Sequence, residues 1–166
     1  MSRIYMLRTV PAWNTWVTPI SFFISAILFG MLILSIAVSL LVQTHSSSGN
    51  LILVAADLVR MMGWGSAILL SAQLLISFVK DRILLWRGGT SEESIRLMKQ
   101  RHPALGLLRA IFGFLGIGLC ILFALQPFSN TDFVLDIAIL LAFLLTLTSE
   151  ILGRFLFYAS FKRSGI

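Results

Sequence analysis

Two pairs of opposite charge lie inside stretches of this chain that are otherwise apolar. Asp57 and Arg60 are three residues apart and Glu150 and Arg154 are four apart, so on a helix each pair shares a face. A carboxylate beside a guanidinium in a low-dielectric setting has two uses. It neutralises itself as an intrahelical ion pair, or it keeps a carboxyl group where a proton can be taken up and released, as quinone chemistry needs. The spacing serves both. Glu150 and Arg154 are therefore candidates for a structural or proton-handling pair, and Asp57 and Arg60 for an intramembrane polar pair. Neither arrangement marks a catalytic residue.

Metal and haem chemistry have less to work with. Cys120 is the single cysteine, which excludes a disulfide framework or a thiolate cluster within this chain, and in mid-run it reads as a small buried apolar side chain. A membrane b-type haem needs paired axial imidazoles, but His45 and His102 fall in polar breaks at opposite ends of the second apolar run. The expectation is that the chain binds no metal and no cofactor of its own. Electrons reaching it would travel by quinone chemistry or through a partner's cofactors.

The elements that must position these residues are four apolar runs at about 18–42, 51–79, 104–125 and 133–161. A helix rising about 1.5 Å per residue needs roughly 20 residues to cross a hydrocarbon core of about 30 Å, and every run is that long. With 58% hydrophobic and only 12% charged residues and a mean hydropathy of +0.95, too little polar surface remains to solvate a globule. Apolarity all round, without period-two alternation, excludes transmembrane strands. The first run is too long for a signal peptide and is followed by three more. The predicted fold is all-α, a polytopic transmembrane bundle of four helices forming a single membrane domain over 1–166.

Charge orients the bundle. Arg3 and Arg8 precede the first run, Lys80, Arg82, Arg87, Arg96, Lys99, Arg101 and Arg109 lie in or near the second connection, and Lys162 and Arg163 follow the last run. Alternating helices bring these regions to one face, while the loops 43–50 and 126–132 on the other face contain no Lys or Arg. The positive-inside rule predicts cytoplasmic termini and a cytoplasmic connection at about 80–103. The pI near 10.5 then reflects topology and anionic headgroups, and no nucleic-acid partner is needed to explain it.

Within that connection, 80–87 mixes charge with an apolar strip and Trp86, as expected where a helix leaves the membrane and lies on headgroups. Gly88 and Gly89 break it, and Thr90 with Glu93 resembles a capping box opening a short helix at about 91–100 that ends before Pro103. The segment is either a docking surface for a soluble subunit or a solvated connector. Gly106, Gly113, Gly116 and Gly118 in the third run and Gly63 and Gly65 in the second predict close helix contacts. Trp13 and Trp16 suit an interfacial belt, with Pro19 tolerated in the first helical turn.

Two segments carry a resemblance. Arg3-Ile4-Tyr5, then Thr9-Val10-Pro11-Ala12-Trp13-Asn14-Thr15-Trp16-Val17-Thr18-Pro19 and Phe22-Phe23, is similar to the stretch leading into the fifth helix of the dimethyl sulfoxide reductase membrane anchor family. Glu150-Ile151-Leu152-Gly153-Arg154-Phe155-Leu156-Phe157-Tyr158 resembles that family's closing helix. Both occur in the family's order and at its separation. The resemblance spans essentially this whole chain and the second, four-helix half of the family's eight-span length, so the expectation is a half-length relative, with a companion N-terminal anchor half as a further partner.

The resemblance implies a membrane anchor subunit in the cell inner (cytoplasmic) membrane, serving anaerobic electron transport. It would hold an iron–sulfur subunit and a molybdopterin catalytic subunit, with menaquinol oxidised at the complete anchor. The family's quinol pocket is associated with its first half, which makes this half a non-catalytic component of an oxidoreductase complex. By the same resemblance Glu150 and Arg154 fix the last helix, Tyr158 sits at the interface, and Arg3, Tyr5, Trp13 and Trp16 shape the face nearest the partner. The competing class is a small independent four-span transporter or membrane-structural protein, in which Asp57, Arg60, Glu150 and Arg154 would line a polar path.

The charge asymmetry predicts that 88–101 is cytoplasmic and His45 external. Labelling from outside intact cells should modify a cysteine placed at Ser47 and spare one placed at Ser91; the reverse pattern would invert the orientation.

Overall fold

In lipid a backbone amide has only its own chain to bond to, so each apolar run closes its hydrogen bonds internally as a helix. The computed structural model describes residues 17–45, 49–87, 103–125 and 133–159. They form α1 (Val17–His45), α2 (Gly49–Arg87), α3 (Pro103–Leu125) and α4 (Phe133–Ala159), with no strand among the described residues. Pro19 falls in the first turn of α1, where its missing N–H costs nothing. Pro103 opens α3 at a position that favours proline, and Asp136 in the first turn of α4 complements the positive end of the helix dipole.

Each helix contains a stretch long and apolar enough to cross a membrane: Val17–Val42, Ile52–Lys80, Ala104–Leu125 and Asp136–Leu156. Large apolar side chains cover the outside of the bundle, among them Phe23, Met61, Ile68, Leu107 and Phe114, as expected when the surrounding solvent is lipid. One local expectation changes: the helices run further into the break at 43–50, α1 to His45 and α2 from Gly49. As expected from 80–87, the second helix continues past Lys80 as one element to Arg87, and Arg82 Cζ lies 5.1 Å from the Phe78 ring centroid. The expected capping box at Thr90 and Glu93 and the helix at 91–100 lie outside the described residues.

Consecutive helices neighbour one another and α4 meets α1, closing a ring of four. All neighbours run antiparallel. Met31 lies against Gly65 and Ser25 against Gln73; Gly63 lies against Phe123 and Gly113 against Leu74; Gly116 lies against Thr146 and Arg109 against Gly153. Numbers rise along one helix as they fall along its neighbour. Leu28, Leu32, Val59, Leu70, Cys120, Phe123 and Ile139 form an apolar core that runs from the middle of the bundle toward the end at Leu125 and Asp136, and Phe29 meets Phe143 edge-to-face with ring centroids 5.9 Å apart.

Only some of the glycines predicted to mark contacts do so. A Cβ at Gly63 would stand 2.7 Å from Ala124 Cβ and 3.1 Å from the Cys120 carbonyl oxygen, and one at Gly113 would stand 2.9 Å from Leu74. Added Cβ atoms at Gly106 and Gly118 would meet nothing within 4 Å. The missing side chain therefore lets α2 and α3 approach at Gly63, whereas Gly106 and Gly118 face outward. Gly63→Ala is expected to destabilise the bundle by about 1–3 kcal/mol through overpacking, and Gly118→Ala to be neutral or mildly stabilising; unfolding of both variants in detergent checks the contrast.

Candidate functional site

Glu150 is the polar residue that lipid tolerates least, and α4 places it inside the ring. It lies six residues from the end of the span Asp136–Leu156, about 9 Å in at 1.5 Å per residue, and is only 4% exposed. Ser25 of α1 and Gln73 of α2 reach the same depth from their own helices and are buried as well. Ser25 Oγ lies 2.8 Å from Glu150 Oε2. Gln73 Nε2 donates toward Ser25 Oγ at 3.2 Å and toward Glu150 Oε2 at 3.3 Å. One carboxyl group thus joins α1, α2 and α4.

The ion pair expected between Glu150 and Arg154 does not form. Arg154 instead stacks on Phe22 of α1, with Cζ 4.0 Å from the ring centroid. The physical reason is depth: Arg154 is just over a turn closer to the end of the span, where an aromatic face holds the cation and its charge reaches toward the headgroups. Glu150, one turn deeper, is left to neutral donors.

Residues flanking Glu150 bind the remaining helix. Ser149 Oγ donates to the backbone carbonyl of Arg109 on α3 at 3.0 Å. The Arg109 side chain lies over Gly153, where an added Cβ would meet Cζ at 2.6 Å, Nε at 2.7 Å and Nη2 at 2.8 Å. The segment Ser149–Arg154 is a hub: Glu150 reaches α1 and α2, Gly153 and Ser149 take α3, and Arg154 returns to α1. At the far end of the bundle Ser39 Oγ donates to Asp136, joining α1 to α4 a second time.

The other sequence candidates stand apart. Asp57 and Arg60 are exposed on the outside of α2, toward its opposite end, and no ion pair joins them among the described residues. Arg154 is half-buried and Glu150 alone of these four lies inside, so they do not line a common path. Tyr158 is exposed. Arg3, Tyr5, Trp13 and Trp16 lie outside the described residues. Ser25, Gln73, Ser149 and the packing role of Arg109 were not legible as a group. A search for charge overlooks Gln73, yet an amide in a span is as informative as a carboxylate, because each must find a partner.

The hub coincides with the closing-helix motif, and a family model described as the DMSO reductase anchor subunit (DmsC) matches residues 1–160. The chain belongs to that anchor family. No curated protein and no solved structure matches it. Four spans and membership of the DMSO reductase anchor family make it a multi-pass membrane protein associated with a soluble reductase. In this anchor-family chain the Glu-x-x-Gly-Arg motif is first a device for holding four helices together.

That reading predicts a coupling. Gly153→Ala should have a small net effect, because the new Cβ displaces only the flexible end of the Arg109 side chain while alanine improves the helix, whereas the same change made on Arg109→Ala should be plainly stabilising. A double-mutant cycle of unfolding in detergent measures the coupling, and strict additivity would remove Arg109 as the reason for the glycine.

Proposed function

We propose that this chain is the membrane anchor component, or a half-length form of it, of a molybdopterin and iron–sulfur reductase such as dimethyl sulfoxide reductase. Its task is to hold the iron–sulfur and molybdopterin subunits at the cell inner membrane within an anaerobic electron-transport chain. The observation that carries this reading is the anchor-family match over 1–160 on a chain whose four helices can each span a bilayer. The many basic residues at and between the ends of the spans support cytoplasmic termini. Arg3, Tyr5, Trp13 and Trp16 would shape the face toward the partner, and Tyr158 the interface.

In this reading menaquinol is oxidised by the complete anchor, in company with a second anchor half. Among the described residues Ser25, Gln73 and Glu150 are buried and bonded to one another, and no quinol step is assigned to them. The molybdopterin and the clusters belong to the partner subunits. A specific observation also weighs against the transporter alternative: Asp57 and Arg60 are exposed on the outside of α2 and do not share an interior path with Glu150.

Fractionating cells with and without the chain tests the proposal. The iron–sulfur and molybdopterin subunits should sediment with membranes when it is present and appear in the soluble fraction when it is deleted. Replacing Trp13 and Trp16 together by alanine should weaken retention without removing the chain from the membrane. Soluble subunits that stay membrane-bound without the chain would overturn the anchoring role.

A further inference from the structure

Arg154 closes its span as a cation whose donors have no acceptor. The guanidinium lies over the Phe22 ring, with Cζ 4.0 Å from the centroid, and makes no hydrogen bond or ion pair among the described residues. A cation–π contact engages the charge and leaves the five N–H donors of arginine without an oxygen to bond. Glu150, the carboxyl group one turn away on the same helix, is bonded instead to Ser25 and Gln73. Arg154 is half-buried at the outer rim of the seam between α1 and α4. It stands two residues before Leu156, the last residue of the span, about 3 Å of helix rise, so its long side chain reaches the level of the lipid phosphates.

The surroundings of Arg154 suit a lipid that is charged at one end. The same end of the bundle carries Lys80, Arg82 and Arg87 of α2 and Arg109 of α3, against the acids Asp81 and Glu150, so positive charge is in excess there. Deeper along the seam the surface is apolar. Ala26 lies one turn below Phe22 on α1 and Ile151 nearly one turn below Arg154 on α4, and both are exposed. Between the two helices Phe29 meets Phe143. Ala26 carries only a methyl group at this surface, which leaves space for an acyl chain beside Ile151.

We infer that the α1–α4 seam at Arg154 binds an anionic phospholipid, with its phosphodiester on the Arg154 guanidinium and an acyl chain along Ala26 and Ile151. The phosphate oxygens accept from the edge of a guanidinium that Phe22 holds in place. A headgroup with net negative charge is preferred, because the excess of cations attracts it, whereas phosphatidylethanolamine brings an ammonium group of its own to the same place. The lipid touches both helices of the seam. The inference goes beyond anchoring and does not depend on it.

The test places the full chain in bilayers of phosphatidylglycerol and phosphatidylethanolamine in equal parts, extracts it in mild detergent and reads its bound lipids by native mass spectrometry. Phosphatidylglycerol should be retained in preference. Arg154→Gln should lower its retention by about fivefold or more, the loss expected for one basic contact, and Arg60→Gln at the other end of α2 should leave it unchanged. Ala26→Phe fills the acyl-chain space from an exposed position, so it should also lower retention while helix content by circular dichroism stays the same; this variant keeps the test valid if Arg154→Gln inserts poorly. Glycerol phosphate in millimolar excess should not displace the lipid, which separates a lipid site from a site for phosphate alone. Equal retention of the two lipids, unchanged retention in Arg154→Gln or in Ala26→Phe, or displacement by glycerol phosphate would each overturn the proposal.

Discussion

A polar group within lipid must be met by another helix, and this bundle is arranged around that requirement at Glu150. Lipid offers no hydrophobic drive for helices to associate, so the contacts that select one arrangement are hydrogen bonds and close backbone approaches. Ser25 with Glu150 near one end and Ser39 with Asp136 near the other bolt α1 to α4 twice. The two bolts are fourteen residues apart on both helices, just under four turns at about 3.6 residues per turn. Both therefore lie on nearly the same face of each helix, and a slip of either helix by one residue would break both at once.

Glycine sets the spacing that the polar contacts need. Gly63 lets α2 rest on α3 beside Cys120 and Phe123, and Gly116 leaves Leu70 and Thr146 room between α2, α3 and α4. Gly153 does something different, since what fills its space is the guanidinium of Arg109. The same helix end then carries a cation on each side of α4, one over a glycine and the other over an aromatic ring, while the carboxyl group between them turns inward to Ser25 and Gln73. Segregating charge in this way keeps Arg109 and Arg154 toward the headgroups and leaves Glu150 in the bundle interior.

For an anchor subunit the arrangement has a mechanical sense. The hub at 149–154 lies toward the ends of the bundle that carry the chain termini and the long second connection, which is also where the basic residues gather. A soluble partner seated on that face would load helices already tied together by Glu150, Ser149 and Arg109 within the membrane. The opposite end is held by the Ser39–Asp136 contact, with the hydrophobic cluster around Leu28, Leu32 and Leu70 between the two.

Much of this was determined by the sequence alone. Run length and apolarity require four helices, because in lipid no other local structure closes every backbone hydrogen bond. The closing-helix motif was legible as unusual, since Glu150 and Arg154 are costly in a span whatever surrounds them. Their partners were decided only by tertiary structure. Spacing along one helix favours Glu150 with Arg154, but it carries no information on which residues of α1 and α2 arrive at the same depth, and there Ser25, Gln73 and the Phe22 ring displace the local pair. Glycines posed the same difficulty: composition shows where backbones are able to approach, while the rotation of each helix about its axis, set by all its neighbours together, decided that Gly63 and Gly153 would be covered and Gly106 and Gly118 would not.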